Sequence, residues 1–225
     1  MPRALRQSKG GVVYHVLNRA NGRAQFFDKD AEYRAFVLLL ADTLTKTPVR
    51  ILSYCVMPNH WHLILWPAKD GQLSQFMQKL TVAHTQRWHA RHGTSGTGHL
   101  YQGRFKSFPI QSDEHFLTVC RYVERNPLRA RLVRHSENWR WSSLWLRLNV
   151  HAAQRRWLHP WPVDRPRSWT QRVNRAETAE ELETLRLSVK RGRPYGSAAW
   201  QTRTANRMGL QPTLRPRGRP RIKED

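Results

Sequence analysis

Two histidines stand one residue apart in a short apolar stretch, where His60 and His62 flank Trp61. Successive side chains of a β-strand point to opposite faces, so in a strand these two imidazoles project from the same face. Such a pair can bind a divalent cation and leave part of its coordination sphere open. The pattern therefore predicts a metal site able to act on a phosphate, and a purely structural pair is the alternative interpretation.

A second set of candidate residues lies on a helix predicted over residues 113–126. Tyr122 and Asn126 are four residues apart, so they share one face of that helix. If the helix packs beside the histidine strand, Asn126 can complete a three-ligand metal site with Tyr122 next to it. Alternatively, Tyr122 is a packing residue and Asn126, which precedes Pro127, caps a helix end.

The charge of the chain predicts a polyanionic partner. Its 225 residues contain 39 Lys and Arg against 16 Asp and Glu, a formal charge of +23. Such an excess opposes compaction by self-repulsion, and it is mostly arginine, whose fork matches phosphates and guanine edges. We therefore expect nucleic acid as the partner, with a merely solvated surface as the alternative.

Several features bear on the compartment. The longest uninterrupted apolar run, residues 36–41, is too short to span a bilayer. The N-terminus shows no sustained apolar stretch of the secretory type. Cys55 and Cys120 lack metal-binding spacing and are expected to be reduced core residues. We expect a cytoplasmic, nucleoid-associated protein that does not bind membranes.

Residues 1–150 are predicted to form one α+β domain. Strands are predicted at residues 11–18, 50–56, 60–66 and 104–110, and helices at residues 30–45, 73–89 and 113–126. This order is compatible with a ferredoxin-like antiparallel sheet with helices on one face.

The remaining chain is predicted to be a basic C-terminal extension, partly helical and partly disordered. Residues 151–213 are rich in Trp, Pro and Arg and contain a short amphipathic helix at residues 177–190. Residues 214–225 lack periodicity and are predicted to be a disordered tail. There Arg217, Gly218 and Arg219 resemble an AT-hook core for the narrow minor groove, and electrostatic tethering to the DNA backbone is the alternative.

Five segments, in order, carry a resemblance to a known family: GVVYHVLNRAN (11–21), YCVMPNHWH (54–62), GRFKS (103–107), CRYVERNPLRA (120–130) and WRWSS (139–143). Together they resemble the REP-associated tyrosine transposases, relatives of the single-tyrosine HUH transposases. The resemblance covers about residues 10–145. One departure is visible, because Ala20 stands where relatives usually have glycine between Arg19 and Asn21.

The resemblance implies an HUH nuclease fold and a covalent mechanism. His60 and His62 would be the HUH ligands, with Asn126 as the third, and would hold one Mg²⁺ or Mn²⁺. Tyr122 would attack phosphorus and leave a 5′-phosphotyrosine and a free 3′-hydroxyl, so that a strand can be cut and rejoined. The alternatives are a catalytically silent hairpin-binding protein and a metallonuclease in which water attacks.

The substrate implied by the resemblance is single-stranded DNA folded into a hairpin at a repetitive extragenic palindrome, processed in transposition or recombination. A monomer is expected, although related transposases often form dimers. The predicted DNA contacts are Arg19, Asn21, Arg23, Arg104, Lys106, Arg121 and Arg125, together with Arg217, Gly218 and Arg219 of the tail.

Overall fold

A computed structural model describes residues 8–215 of the chain. Its antiparallel sheet consists of β1 (Val13–Arg19), β2 (Arg50–Met57), β3 (His60–Trp66) and β4 (Lys106–Ile110). The strand order is β2-β3-β1-β4, so β1 and β3 are central and β4 lies at an edge. The predicted α+β class and antiparallel sheet are confirmed.

The helices of the described residues are α1 (Asp30–Lys46), α2 (Gln72–His92), α3 (Glu114–Glu124), α4 (Asn126–Arg129), α5 (Ser143–Asn149), α6 (Trp169–Asn174), α7 (Ala179–Arg191), α8 (Ala198–Met208) and α9 (Gln211–Leu214). Short 3-10 turns occur at Asn21–Arg23, Ser136–Asn138 and Ala152–Gln154. Local capping explains several ends. The Asp113 carboxylate accepts the His115 N–H at the start of α3, and Gly192 ends α7 in the left-handed region at φ 71°.

Helices cover both faces of the sheet. The crossover helices α1 and α2 pack on one face, against side chains such as Trp61 and Leu63. On the opposite face, α3 places Val119 and Val123 against Ile64. The sequence analysis predicted helices on one face of the sheet. In the structure α1 and α2 cover that face, and α3 covers the other. Covering the second face requires the nearly continuous apolar runs of the strands, since both sets of alternating side chains are then buried.

The C-terminal extension packs on both faces of the sheet. Leu158 and Met208 are buried in the core beside α1 and α2. Trp169, Leu185 and Tyr195 are buried in the same core as α3. Tyr195 also adds two backbone hydrogen bonds beside the edge strand, from its N–H to Pro109 O and from Gln111 N–H to its own carbonyl, both at 2.9 Å. The predicted domain boundary at residue 150 stays a prediction, but residues 151–215 share their core with the sheet. None of the helices between residues 8 and 215 is long and apolar enough to cross a membrane.

Candidate active site

The histidine pair lies on the α3 face of the central strand β3. His60 and His62 project from this face, with ring centroids 5.0 Å apart, whereas Trp61 is buried in the core on the other side. His62 is buried and His60 is half-buried, which leaves one imidazole nearer to solvent. The same-face prediction for the pair therefore describes the strand correctly, because the alternation of β3 is unbroken here.

His62 is held by a third histidine that the sequence analysis did not single out. His15 lies on the neighbouring strand β1, is fully buried, and places Nε2 2.8 Å from Nδ1 of His62. This contact occupies Nδ1 of His62, so Nε2 is the nitrogen left to bind a cation. For Nε2 to be free of its proton, Nδ1 must donate to His15, whose own Nδ1 is buried without a hydrogen-bond partner.

The environment keeps both candidate ligands neutral at physiological pH. Burial, with the nearby charges of Arg19 and Arg129, lowers the pKa of His60 to about 4. Burial and the neighbouring His15 and His60 lower the pKa of His62 well below its usual range. Nδ1 of His60 also contacts Oδ1 of Asn59 at 2.7 Å, which again leaves Nε2 as the free nitrogen. Neutral, oriented imidazoles are the form that binds a metal.

Tyr122 lies beside the histidines because α3 packs across this face of the sheet. Its ring stands edge-on to His62, with centroids 5.8 Å apart and an interplanar angle of 89°, and edge-on to His15 at 6.3 Å. The side chain is largely buried but retains some exposure, at 9%. The predicted neighbourhood of tyrosine and histidines is thus present in the structure.

Arg129 is a further residue at the site that was not predicted. Its guanidinium carbon lies 4.2 Å from the centroid of the Tyr122 ring, within the range of a cation–π interaction. Arg129 follows Tyr122 by seven residues, and Arg125 between α3 and α4 keeps helical dihedral angles of −84° and −7°. Two turns of nearly continuous helix therefore bring residues 122 and 129 to one face, a spacing that was visible in the sequence.

Asn126 is buried at the start of α4, four residues after Tyr122. Arg125 occupies the cap position between α3 and α4, whereas Asn126 is the first residue of α4 and its carbonyl accepts the ordinary helical bond from Ala130 N–H at 2.9 Å. Its role as third metal ligand stays a prediction. In residues 8–215 no group of three or more His, Cys, Asp or Glu side chains is placed to hold a metal, so a cation here would need an amide or water oxygen beside the histidines.

The predicted DNA contacts of the first loop and the edge strand are accessible. Arg19 and Asn21 are exposed at the end of β1, where Arg19 pairs with His60 across the sheet. Arg104 and Lys106 are exposed at the start of β4. Their roles stay predictions, as does that of Arg23, whose backbone belongs to the turn after β1. Arg217, Gly218 and Arg219 lie outside the described residues.

The DNA-binding role of Arg121 and Arg125 stays a prediction, and in the structure both side chains form ion pairs within the protein. Arg121 donates to Glu181 at 2.5 Å with its side chain 8% exposed, and Arg125 donates to Glu177 at 3.1 Å with its side chain 14% exposed. Both guanidiniums face carboxylates of the C-terminal extension instead of solvent. These partners lie more than fifty residues later in the chain, so no local pattern reveals the ion pairs.

Comparisons with known proteins identify a family and two similar structures. The family model described as "Transposase IS200 like" matches residues 8–126. A structure of the "REP associates tyrosine transposase bound to a REP hairpin" aligns with a TM-score of 0.52 and 21% identity, covering 79% of this chain and 100% of that one. A putative transposase from Deinococcus radiodurans R1 aligns with a TM-score of 0.39 and 19% identity, covering 55% and 94%. Among curated proteins, none matches the chain.

Proposed function

The chain belongs to the family of IS200-like transposases, and from that premise we propose that it is a metal-dependent single-stranded DNA endonuclease and strand transferase that uses Tyr122 as its nucleophile. The observation that carries the proposal is the placement of the Tyr122 ring beside His62, on the face of the sheet that presents the histidine pair. The ring stands edge-on to His62 and, on the neighbouring strand, to His15.

The reaction is a phosphoryl transfer. The Tyr122 hydroxyl oxygen forms a bond to phosphorus as the bond from phosphorus to the 3′-oxygen breaks. The phenol gives up its proton, and the departing 3′-oxygen gains one, which leaves a 5′-phosphotyrosine and a 3′-hydroxyl. Because the covalent linkage preserves a phosphoester, a 3′-hydroxyl can attack it and rejoin the strand without an external energy source.

His60 and His62 would hold Mg²⁺ or Mn²⁺, with Asn126 as the proposed third ligand. When bound, such a cation polarises the scissile phosphate and offsets negative charge in the transition state. The protein's own contribution is to keep both imidazoles neutral and oriented, through burial, through Asn59 for His60 and through His15 for His62.

We further propose a DNA hairpin as the substrate. The related structure of 21% identity is described as bound to a REP hairpin, and the net charge of +23 favours a nucleic-acid ligand. Arg19, Asn21, Arg104 and Lys106 are exposed on the strands and the loop next to the histidine pair and are the proposed contacts. A basic tail over residues 214–225 would add affinity for DNA.

The test is a search for a covalent protein–DNA adduct. Purified protein with Mn²⁺ is incubated with labelled single-stranded hairpins of palindromic-repeat sequence, taken from the DNA beside its gene where such repeats occur. The products are separated on a denaturing gel. We expect an SDS-stable adduct that depends on the metal and disappears in Tyr122→Phe. Tyr33→Phe is the matched control, because it removes a hydroxyl on the opposite face of the sheet.

Two outcomes would contradict the proposal in different ways. Cleavage that survives in Tyr122→Phe without any adduct would identify water as the nucleophile. Tight binding with neither cleavage nor adduct would leave a hairpin-binding protein.

A further inference from the structure

Arg129 is held between the proposed nucleophile and a buried carboxylate. Its guanidinium carbon is 4.2 Å from the centroid of the Tyr122 ring, and its Nη1 is 3.1 Å from Oε1 of Glu177. A guanidinium can do both at once, because its flat face lies on an aromatic ring while its N–H groups donate in the plane. The ring contact and the ion pair therefore fix a single position of the side chain.

Glu177 belongs to the C-terminal extension and is the carboxylate that holds Arg129. Its side chain is only 1% exposed, and its second oxygen, Oε2, accepts from Nη1 of Arg125 at 3.1 Å. A carboxylate removed from water in this way is tolerated only when it is fully paired. The two half-buried arginines supply that pairing, so Glu177, Arg125 and Arg129 form one cluster against the helix that carries Tyr122.

A neighbouring ion pair links the extension to α3 without contacting the tyrosine ring. Glu181, four residues after Glu177, accepts from Arg121 at 2.5 Å. This pair also ties the extension to α3, and among the aromatic and cation contacts of the described residues none joins Arg121 to Tyr122. The structure therefore holds two links between the same elements, of which only the one through Glu177 ends on the tyrosine ring.

We propose that Glu177 positions Arg129 over Tyr122, and that the C-terminal extension thereby completes the active site. Arg129 and Glu177 act as positioning residues, since they orient the tyrosine ring toward the histidine pair. The inference rests on the proposed role of Tyr122 as nucleophile for its catalytic consequence, whereas the orientation of the ring can be measured without that role.

The experiment compares four variants of the full chain. Arg129→Leu removes the cation from the tyrosine ring. The buried Glu177 carboxylate keeps Arg125 as its ion-pair partner in this variant. Glu177→Gln removes the carboxylate charge, and Arg129→Lys keeps the charge but not the planar fork. Glu181→Gln is the matched control, because glutamine preserves the capping box with Thr178 at the start of α7.

Two measurements are made on each variant. The first is the single-turnover rate of adduct formation at saturating hairpin DNA, measured separately from the dissociation constant. The second is the NMR signal of the Tyr122 ring in protein labelled at its six tyrosines, assigned by its loss in Tyr122→Phe. Melting temperatures show that each variant is folded.

We expect Arg129→Leu to slow adduct formation about 100-fold, as small misplacements of reacting groups do, with little change in the dissociation constant. Arg129→Lys should form the adduct as slowly as Arg129→Leu. The rate of Glu177→Gln should lie between those of Arg129→Leu and the wild type, and Glu181→Gln should react at the wild-type rate. The Tyr122 ring signal should shift or broaden in the first three variants only.

If Glu177→Gln and Glu181→Gln slow adduct formation equally, the cluster is only a structural link between the extension and α3, and the inference is overturned. An unchanged Tyr122 signal in Arg129→Leu would overturn it as well. If the wild type forms no adduct, the proposed function fails while the ring signal still decides the positioning role.

Discussion

We expect His15→Phe to weaken Mn²⁺ binding by about 10- to 100-fold while the protein stays folded. The substitution keeps an aromatic ring in a fully buried position, where the His15 ring already lies 4.8 Å from that of Phe108. It removes Nε2 of His15, the acceptor 2.8 Å from the Nδ1–H of His62. The other nitrogen of His15 has no hydrogen-bond partner, so the loss is confined to His62.

The magnitude follows from what that one bond does. A net hydrogen bond contributes about 1 kcal/mol, which by itself corresponds to about a fivefold change in affinity. The bond also selects the tautomer of His62 that leaves Nε2 free, and it orients the ring. Losing a hydrogen bond of this kind behind a metal ligand typically costs 10- to 100-fold in affinity, or about 1.4 to 2.8 kcal/mol.

The assay is a titration of apoprotein with Mn²⁺, followed by electron paramagnetic resonance of the free ion. His84→Phe provides the control, because His84 is also a buried histidine but lies in the core between α1 and α2, on the opposite face of the sheet. It should leave Mn²⁺ affinity unchanged. Wild-type affinity in His15→Phe would refute the argument that the His15 contact sets the tautomer and orientation of His62.

Three further results are expected. Burial lowers the pKa of His84 to about 3. As pH falls below about 6.5, this histidine is therefore protonated in the unfolded chain but not in the folded protein, and stability is lost. His84→Phe should shrink the difference in unfolding free energy between pH 7.5 and pH 5 by about 2 kcal/mol in urea titrations. The buried Glu124 carboxylate accepts from Ser53, Ser143 and Trp169, so Glu124→Ala should lower the unfolding free energy by about 3 kcal/mol in the same assay. Replacing Arg104 and Lys106 by Ala should reduce the slope of log affinity against log salt by about 2 in hairpin-binding titrations.

Each of these has its own control. A pH dependence of stability unchanged in His84→Phe would show that this histidine does not titrate on unfolding. Glu183→Ala, on the exposed side of α7, should change the unfolding free energy by less than about 0.5 kcal/mol. A change as small as this in Glu124→Ala would contradict the buried network. Arg34→Ala, exposed on α1, should leave the salt slope unaltered if the affinity arises at β4.

The fold was predictable to a large extent because its signals are local. The β-branched and aromatic residues of β1, the short apolar run of β3 and the apolar spacing of α1 each lie within one short segment. These elements appear within a few residues of the predicted bounds. Packing of the extension was not predictable. Its Trp169 donates to Glu124 at 2.7 Å and is buried, yet nothing around Trp169 in the sequence distinguishes it from a solvent-facing tryptophan.

The candidate site divides in the same way. The shared face of His60 and His62 follows from strand geometry alone, so the sequence was sufficient for it. The contact of His15 with His62 depends on the register between β1 and β3, in which His15 pairs with Ile64. Register is set by long-range pairing, which one sequence does not report. Arg129 lay at a readable helical spacing, but its contact with Tyr122 needed α3 and α4 to run on almost without a break.

By itself, the sequence determined the candidate residues for the proposed chemistry: two imidazoles on one strand face, a tyrosine followed by an asparagine one helical turn later, and a large positive charge. These properties depend on residue type and on the local period of a strand or helix. Only the tertiary structure decided which positive charges are paired within the protein. Arg121 and Arg125 are neutralised by Glu181 and Glu177, because burial against a distant segment requires each charge to find a partner, and that partner is chosen by the fold and not by its neighbours in the chain.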